Sequence, residues 1–481
     1  MDGFSTVLED ISSWIWGPTL LIPLLLGTGL YLTLRLGGLQ FRTLGAALRL
    51  GLWTRRDDGA EGEISQFQAL TTATAATVGT GNIVGVATAI SIGGPGALFW
   101  MWMTGLVGMA TKYAEAFLAV RFRSTDAHGE KTGGPQYYLA RGIPGPLGKF
   151  LALWFAICTI IACFGIGNLT QGNAIATNVQ GSWGIAPWMT GLVLSVLAFA
   201  VLVGGIRSIG RVTAWLVPGM IVFYVACALF ILMMNAASIP AALMLIVHDA
   251  FTGSAAVGGF AGSGILIVLQ YGVARGLFSN ESGLGSAPMA AAAAQTTHPV
   301  RQGLVSMTQT FIDTLIVVSM TGLVIVTTGV WNGIDATTGK QVSAAQMTGE
   351  AFSHGLPGQW GHWVVTLGIV LFAFSTILGW CYYGERNVER LFGARAVMAY
   401  RLLFSVMVFV GCTAQLSTVW AFADIANGLM ALPNLIGMLL LSKLIVRETR
   451  HYLRHDPHLR ASKAEIEAFM RDQVSWNQWE R

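Results

Sequence analysis

"TTATAATVGTGNIVGVATAI", residues 71–90, decides how this chain is read. The stretch is apolar enough for hydrocarbon, yet threonines crowd it, glycines stand at 79, 81 and 85, and Asn82 sits near its centre. It fits either a phosphate-cradling loop of a soluble domain or the middle of a membrane helix. The nucleotide reading fails on context. Gly79-x-Gly81-x-x-x-Gly85 misses the dinucleotide spacing, no strand pattern precedes it, and no Walker lysine follows.

Composition points to the membrane. Of 481 residues, 54% are hydrophobic and 11% charged, against about a quarter charged in soluble domains. Several apolar runs reach the roughly 20 residues that cross about 30 Å of hydrocarbon as helix. About eleven windows emerge, near 14–36, 66–91, 94–120, 149–172, 187–205, 211–236, 256–285, 302–330, 360–383, 396–416 and 419–446. Between the first two, "LQFRTLGAALRLGLWTRR" spaces Arg42 and Arg49 seven apart among leucines, which predicts a short interfacial helix. The start, MDGFSTVLED, has no basic n-region, so the first span is expected to persist rather than be cleaved as a signal peptide. Beyond about residue 447 the tail reads as soluble, with "ASKAEIEAFMRDQVSWNQW" as one amphipathic helix.

The basic residues predict orientation. Alternate loops carry Arg35 to Arg56, Arg121 to Lys149, Arg207 and Arg211, Arg301, Arg386 to Arg401, and the tail; the opposite loops carry Lys340 alone. That asymmetry puts the basic loops and the C-terminus in the cytoplasm and the N-terminus outside. The net charge of +4 is dispersed over those loops, so it gives no reason to expect a nucleic-acid partner. Cys158, Cys163, Cys227, Cys381 and Cys412 all fall inside spans without ligand-like spacing, as packing cysteines do.

A uniform membrane helix has no need of Thr-Val-Gly-Thr-Gly-Asn at its centre. Small residues can simply bring helices close. The alternative is a discontinuous helix, whose bare backbone is tolerated only where it lines a cavity. There a half-helix N-terminus favours an anionic group and unwound carbonyls favour a cation. A second candidate stands five spans later. Residues 259–288, "GFAGSGILIVLQYGVARGLFSNESGLGSAP", carry glycines at 262, 264, 272, 276, 283 and 285. Spans 2–6 and 7–11 then form two five-span halves, and an odd number of spans per half makes the second enter the membrane inverted.

"TVGTGNIVGVATAI", "GGPGALFWMWM", "GGPQYYL", "GLFSNESGLGSAP" and "FAFSTILGWCYYGE" resemble the alanine/glycine:cation symporter family, in matches running from about residue 66 to 446. The resemblance implies an all-α integral membrane protein of leucine-transporter-like fold, with one extra N-terminal helix before a 5+5 inverted repeat holding two discontinuous helices. It also implies sodium-coupled uptake of alanine or glycine, with Na+ as coupling ion, in a bacterial or archaeal cytoplasmic (inner) membrane. The domain expectation is an N-terminal helix and interfacial segment over 1–60, the first repeat over 61–255, the second over 256–446 and a cytoplasmic tail over 447–481.

An amino-acid zwitterion needs amide donors for its carboxylate and oxygens for its ammonium. From span 2 the substrate candidates are Thr77, Gly79, Thr80, Gly81 and Asn82, although the threonines could instead bond back to the preceding turn. In span 4, "FGIGNLTQGNAIA" offers Gln171 and then Asn168, with interhelical hydrogen bonding as the plainer alternative. Span 7 is expected to contribute unwound backbone near Gln270, Gly272 and Gly276, with Phe278 as a wall. Arg275, Asn280 and Glu281, near its cytoplasmic end, read as a gate or polar brace. Trp380 and Phe164 are candidate caps restricting the pocket to small side chains.

Sodium wants several hard oxygens. In the implied fold, span 9 lies against the first broken helix, so Ser375 and Thr376 with the carbonyls of Ala76 and Gly79 make a candidate cation site. Lys112 and Glu115, three apart, read as a local ion pair. Asp313 and Asp424 have no partner legible in the sequence, and none of these four groups stands in the broken helices to neutralise a charged substrate, which favours a neutral one. Proton coupling is the alternative to sodium. A channel would want a repeated ring of carbonyls or charges, and an enzyme a cluster of acid, base or metal ligands. The histidines fall mostly in loops and the tail instead.

Overall fold

The computed structural model describes residues 2–54, 60–126, 128–252, 261–334, 342–414 and 417–471. Arg55, Arg56, Lys340, the first residues of the seventh window and the last stretch of the tail lie outside them. The chain is nearly all helix. It begins with α1 (Asp2–Ile15) and α2 (Leu21–Arg35), then turns through 83° into α3 (Leu39–Leu48), prolonged by a π-turn to Thr54. The single span expected at 14–36 is therefore interrupted. Gly17 and Pro18 fall in the gap, where proline withholds an amide and cannot continue the α1 ladder.

Ser65 starts the next helix with a capping box: its hydroxyl accepts from the Gln68 amide at 3.1 Å, and the Gln68 side chain accepts from the Ser65 amide at 2.9 Å. This is α4 (Gln66–Thr77), which stops at Val78, makes a 3₁₀ turn over Thr80–Asn82, and resumes as α5 (Val84–Gly93). Then come α6 (Gly96–Arg121), a two-residue hairpin pairing Ser124–Thr125 with Lys131–Thr132, α7 (Pro135–Gly142), and α8 (Pro146–Phe164), which passes through a π-turn into α9 (Thr170–Trp183). α10 (Pro187–Leu202), α11 (Gly205–Met234) and a short connecting α12 (Ile239–Thr252) follow. The hairpin is clasped outside the spans, where Lys131 lies 2.8 Å from Glu61 and holds that carboxyl below its ordinary range.

The second part opens with α13 (Ala261–Asn280) and the short α14 (Pro288–Ala292). It continues through α15 (Pro299–Thr310), a π-segment to Val318, α16 (Ser319–Thr327), α17 (Ala344–Gly355), α18 (Trp360–Phe392), α19 (Arg395–Thr413) and α20 (Ser417–Leu440). Two helices of the tail, α21 (Ser442–His455) and α22 (Lys463–Arg471), close it. Among the described residues six helices are long and apolar enough to cross a membrane, with the bent α2–α3 pair a possible seventh. The remaining windows fall on helices that are shorter, interrupted or more polar.

The surface is inverted relative to a soluble protein. Val193, Leu197, Val222, Met233, Leu402 and Val406 are exposed, while Gln66, Asn82, Lys112, Glu115, Gln309 and Asp313 are buried. Apolar groups outside and bonded polar groups inside are what hydrocarbon solvent demands.

The glycine-rich α13 does not break where the sequence reading placed the break. Its helix runs unbroken past Gly272 and Gly276 to Asn280, and unwinds over 281–287 instead. The two glycines serve close packing against α6: a methyl on Gly272 would lie 2.5 Å from the Ala97 carbonyl, and one on Gly276 2.4 Å from Thr104 Oγ1. The unwound stretch carries left-handed backbone at Glu281 (φ 55°), Gly283 (φ 99°) and Gly285 (φ 85°), which α-helix cannot accommodate.

Candidate functional site

The two interruptions meet side by side. In the first, Asn82 folds back to cap its own turn. Its Oδ1 accepts from the Gly79 amide at 2.9 Å, and its Nδ2 donates to Asp313 Oδ1 at 2.7 Å. The Gln171 side chain, from α9, lies 3.5 Å from the Thr80 amide. Beyond the turn, Thr321 and Thr348 hydroxyls donate to the carbonyls of Asn82 and Ile83. The break thus has its backbone polar groups met from several helices, which is the condition for bare backbone at membrane depth.

α18 supplies the other side. The hydroxyls of Ser375 and Thr376 donate to the Ala75 carbonyl at 3.2 and 3.0 Å, and both also bond back to the Phe372 carbonyl. A methyl on Gly79 would lie 2.5 Å from Thr376 Oγ1, so glycine is required for this approach. The expected convergence of Ser375 and Thr376 on the first break is present, with one correction. The carbonyl they reach is that of Ala75, not those of Ala76 or Gly79: Ala76 packs its Cα and Cβ against Gly379, and the Gly79 carbonyl accepts from the Asn82 amide at 3.2 Å.

The second break is held by charge. Lys112 Nζ donates to the Glu281 carbonyl at 3.0 Å and stands 3.9 Å from Glu115 Oε2. Glu281 Oε1 accepts from the Trp380 indole at 2.9 Å, and its other oxygen accepts from Ser286. Glu115 accepts from the Gly285 amide at 3.0 Å and from Asn434 at 2.6 Å. Asp313 also accepts from Ser279 and Thr314. One turn earlier on the same helix face, Gln309 donates to Thr77 Oγ1 at 2.8 Å and to the Asn280 carbonyl at 3.4 Å. Gln309 and Asp313 therefore tie both broken helices to the α15–α16 span.

A cavity of about 510 Å³ opens above the first break. It runs from Ser12, Ser13 and Trp16 down to Thr80 and Gly81, past Val84, Gly85 and Thr88 on α5 and Gln270, Tyr271, Ala274, Arg275 and Phe278 on α13. Asp424 joins the lining opposite Arg275. The amide-rich start of α5 lies at its foot, where the helix dipole favours a negative group.

The sequence-derived candidates divide accordingly. Thr80, Gly81, Gln270 and Phe278 line the cavity, and Phe278 approaches Gly81 closely. Gly79 and Gln171 stand behind them, in contact with the break. Thr77 and Asn82 are buried braces; Thr77 bonds back to Ala73 and Thr74 while receiving Gln309. Asn168 donates to the Phe404 carbonyl on α19 at 2.7 Å, a helix-to-helix tie away from the cavity. Phe164 packs on Tyr400 and Phe404 rather than over the pocket. Trp380 lies against Gly167 and reaches Glu281 from below. Arg275 belongs to the cavity on the α1 side of the break, not to the opposite end of its helix. Glu281, read in the sequence as a gate or polar brace, stands in the second break and is bonded to Trp380 and Ser286. Asp313, left without a partner in the sequence reading, reaches the breaks and is bonded to Asn82, Ser279 and Thr314. Gln309 was not singled out in the sequence. Its spacing, four before Asp313, places both on one helix face, but Gln302, Ser306, Thr308 and Thr310 in the same window kept it from standing out.

Two interrupted helices set against each other in a membrane bundle, with a cavity ending on one break, define a secondary transporter of the leucine-transporter-like class. The fold matches that of MhsT, solved in complex with L-phenylalanine, with a TM-score of 0.57 at 13% identity over 88% of this chain and 96% of that one. The chain belongs to the sodium:alanine symporter family, whose model matches residues 1–466. It is 50% identical over 452 residues to the sodium/alanine symporter AgcS of Methanococcus maripaludis, covering 93% of this chain and 97% of the relative. It is also 50% identical over 450 residues to an uncharacterized transporter of Haemophilus influenzae, covering 93% and 96%.

Proposed function

We propose that the protein is a sodium-coupled symporter that brings alanine or glycine into the cell by alternating access. The observation that carries this reading is the two-sided first break. Its cavity face offers the Thr80–Gly81 turn and the start of α5 to a carboxylate. Its other face offers the Ala75 carbonyl with the Ser375 and Thr376 hydroxyls to a cation. Neutral hard oxygens of this kind suit sodium. The 50% identity to a relative named as a sodium/alanine symporter supports the same reading.

Phe278 stands against Gly81 at the foot of the cavity, which favours a short side chain on the substrate. Glu281 and Asp313 at the breaks are committed to internal partners, and Asp424 shares the cavity with Arg275, so the lining carries both signs, which favours a substrate with no net charge. The positive-inside asymmetry supports a cytoplasmic tail and an outward-opening cavity in a cell's cytoplasmic membrane. Substrate and cation together stabilise the break in a conformation that neither stabilises alone, and that coupling free energy is the basis of symport.

Uptake of alanine and glycine into proteoliposomes, with sodium, lithium, potassium and proton gradients imposed in turn, tests this. Saturable accumulation under a sodium gradient alone is the expected result. Accumulation under a proton gradient alone would retain the broken-helix site and remove Ser375 and Thr376 as a sodium site. Conduction without saturable uptake would overturn symport.

A further inference from the structure

A second recess lies far along the chain from the cavity, where the last turn of α2 meets α21. It encloses about 610 Å³ and is lined by Arg35, Lys443, Arg447, Arg450, His451 and Arg454. Lys443, Arg447, Arg450 and Arg454 are spaced four, three and four apart, so they share one helix face, and all are exposed. The opposite face, with Leu444, Ile445, Thr449 and Tyr452, is buried and anchored. Thr449 bonds Tyr113 at 2.6 Å, and Glu448 pairs with Arg121 at 3.3 Å. The one carboxylate of the recess is thereby committed elsewhere.

Two of its cations are held by neutral oxygens, while Arg447 also acts on the neighbouring Glu448 carboxylate that Arg121 pairs. Arg450 donates to the Arg35 carbonyl at 2.7 Å, and Arg35 donates to Tyr31 Oη at 3.1 Å. Among the described residues, Lys443, Arg447 and Arg454 form no ion pair or hydrogen bond. The recess also borders lipid-facing surface: Leu30 and Leu34 of α2 are 52% and 71% exposed, and Leu440 at the end of α20 is 56% exposed. A row of guanidinium groups at the seam between hydrocarbon and water matches a phosphodiester headgroup whose chains lie on the apolar side.

We propose that this recess binds an anionic phospholipid of the leaflet facing the tail, clamping α21 to the end of α2. The site is independent of the substrate pathway, so uptake chemistry and lipid binding can fail separately.

The test uses the full-length purified protein in detergent. It reads the shift in Tm on adding phosphatidylglycerol, phosphatidylcholine or inorganic phosphate. Phosphatidylglycerol should raise Tm, the other two should not, and the rise should fade as salt is added. The Arg447→Gln/Arg454→Gln variant should need roughly 30-fold more phosphatidylglycerol for the same effect, from about 1 kcal/mol per basic residue. An equal rise with phosphatidylcholine would reduce the stripe to a determinant of orientation and overturn the site. An equal rise with phosphate would assign it to a soluble anion. An undiminished response in the variant would place the lipid elsewhere. Should the double variant not fold, Lys443→Gln and the salt series on the unaltered protein decide in the same sense.

Discussion

Asn82, inside the first helix break, donates to Asp313 Oδ1 at 2.7 Å, across 231 residues of sequence. The same amide side chain caps Gly79. The shape of the cavity-facing turn is therefore set by a carboxylate on another helix, which in turn holds Ser279 beside the second break. A brace of this kind makes the two broken helices one mechanical unit.

Asp313→Ala and Asn82→Ala should each reduce alanine uptake by roughly tenfold or more at equal expression, since each strands a buried polar partner. The double variant should be little worse than either single one, because both remove the same bond. Additive losses in uptake would show that the two residues act separately.

Ser375→Ala should leave the protein folded and raise the sodium concentration for half-maximal uptake by about fivefold, the worth of one modest oxygen contact. The effect should appear in the sodium titration more than in the alanine titration at saturating sodium. An unchanged sodium dependence would remove Ser375 from the cation site.

Gly79→Ala should lower Tm and abolish uptake, because its methyl would lie 2.5 Å from Thr376 Oγ1; overpacking of this sort costs about 1–3 kcal/mol. Adding Thr376→Ala relieves the contact, so the double variant should recover Tm while sodium coupling stays impaired. Recovery of both would show that the Thr376 hydroxyl has no part in coupling.

The Thr88→Cys variant, altered on the cavity wall, should react in intact cells with a membrane-impermeant thiol reagent, and saturating alanine with sodium should slow it. Labelling only after the cells are opened would reverse the orientation assigned from the basic loops. Cys163 and Cys381 are buried and should stay silent.

Much of this was legible in the order of residues. Period and composition locate helices in a membrane because hydrocarbon punishes every exposed polar group. Glycines at 79 and 81 beside Asn82 located the first break, since nothing in an ordinary span calls for them. The second break was misplaced by half a helix. Glycine has two uses that look alike in sequence, unwinding at 283 and 285 and close packing at 272 and 276, and only the neighbouring helix tells them apart. Ala97 and Thr104 on α6 make that distinction.

By itself, the sequence determined the membrane class, the placing of most helices and the first interrupted helix, while the hydroxyl pair at 375 and 376 was placed against that helix only through the fold the family resemblance implies. These rest on local chemistry: hydropathy, helical period and the weakness of glycine in a helix. Only the tertiary structure decided that Asp313 and Gln309 brace both breaks, that Glu281 belongs to Lys112 and Trp380, and that Asn168 faces Phe404. It also decided that four spaced cations on α21 converge with Arg35. Each of these is a contact between residues far apart in the chain, and spacing along one helix carries no record of what stands across from it.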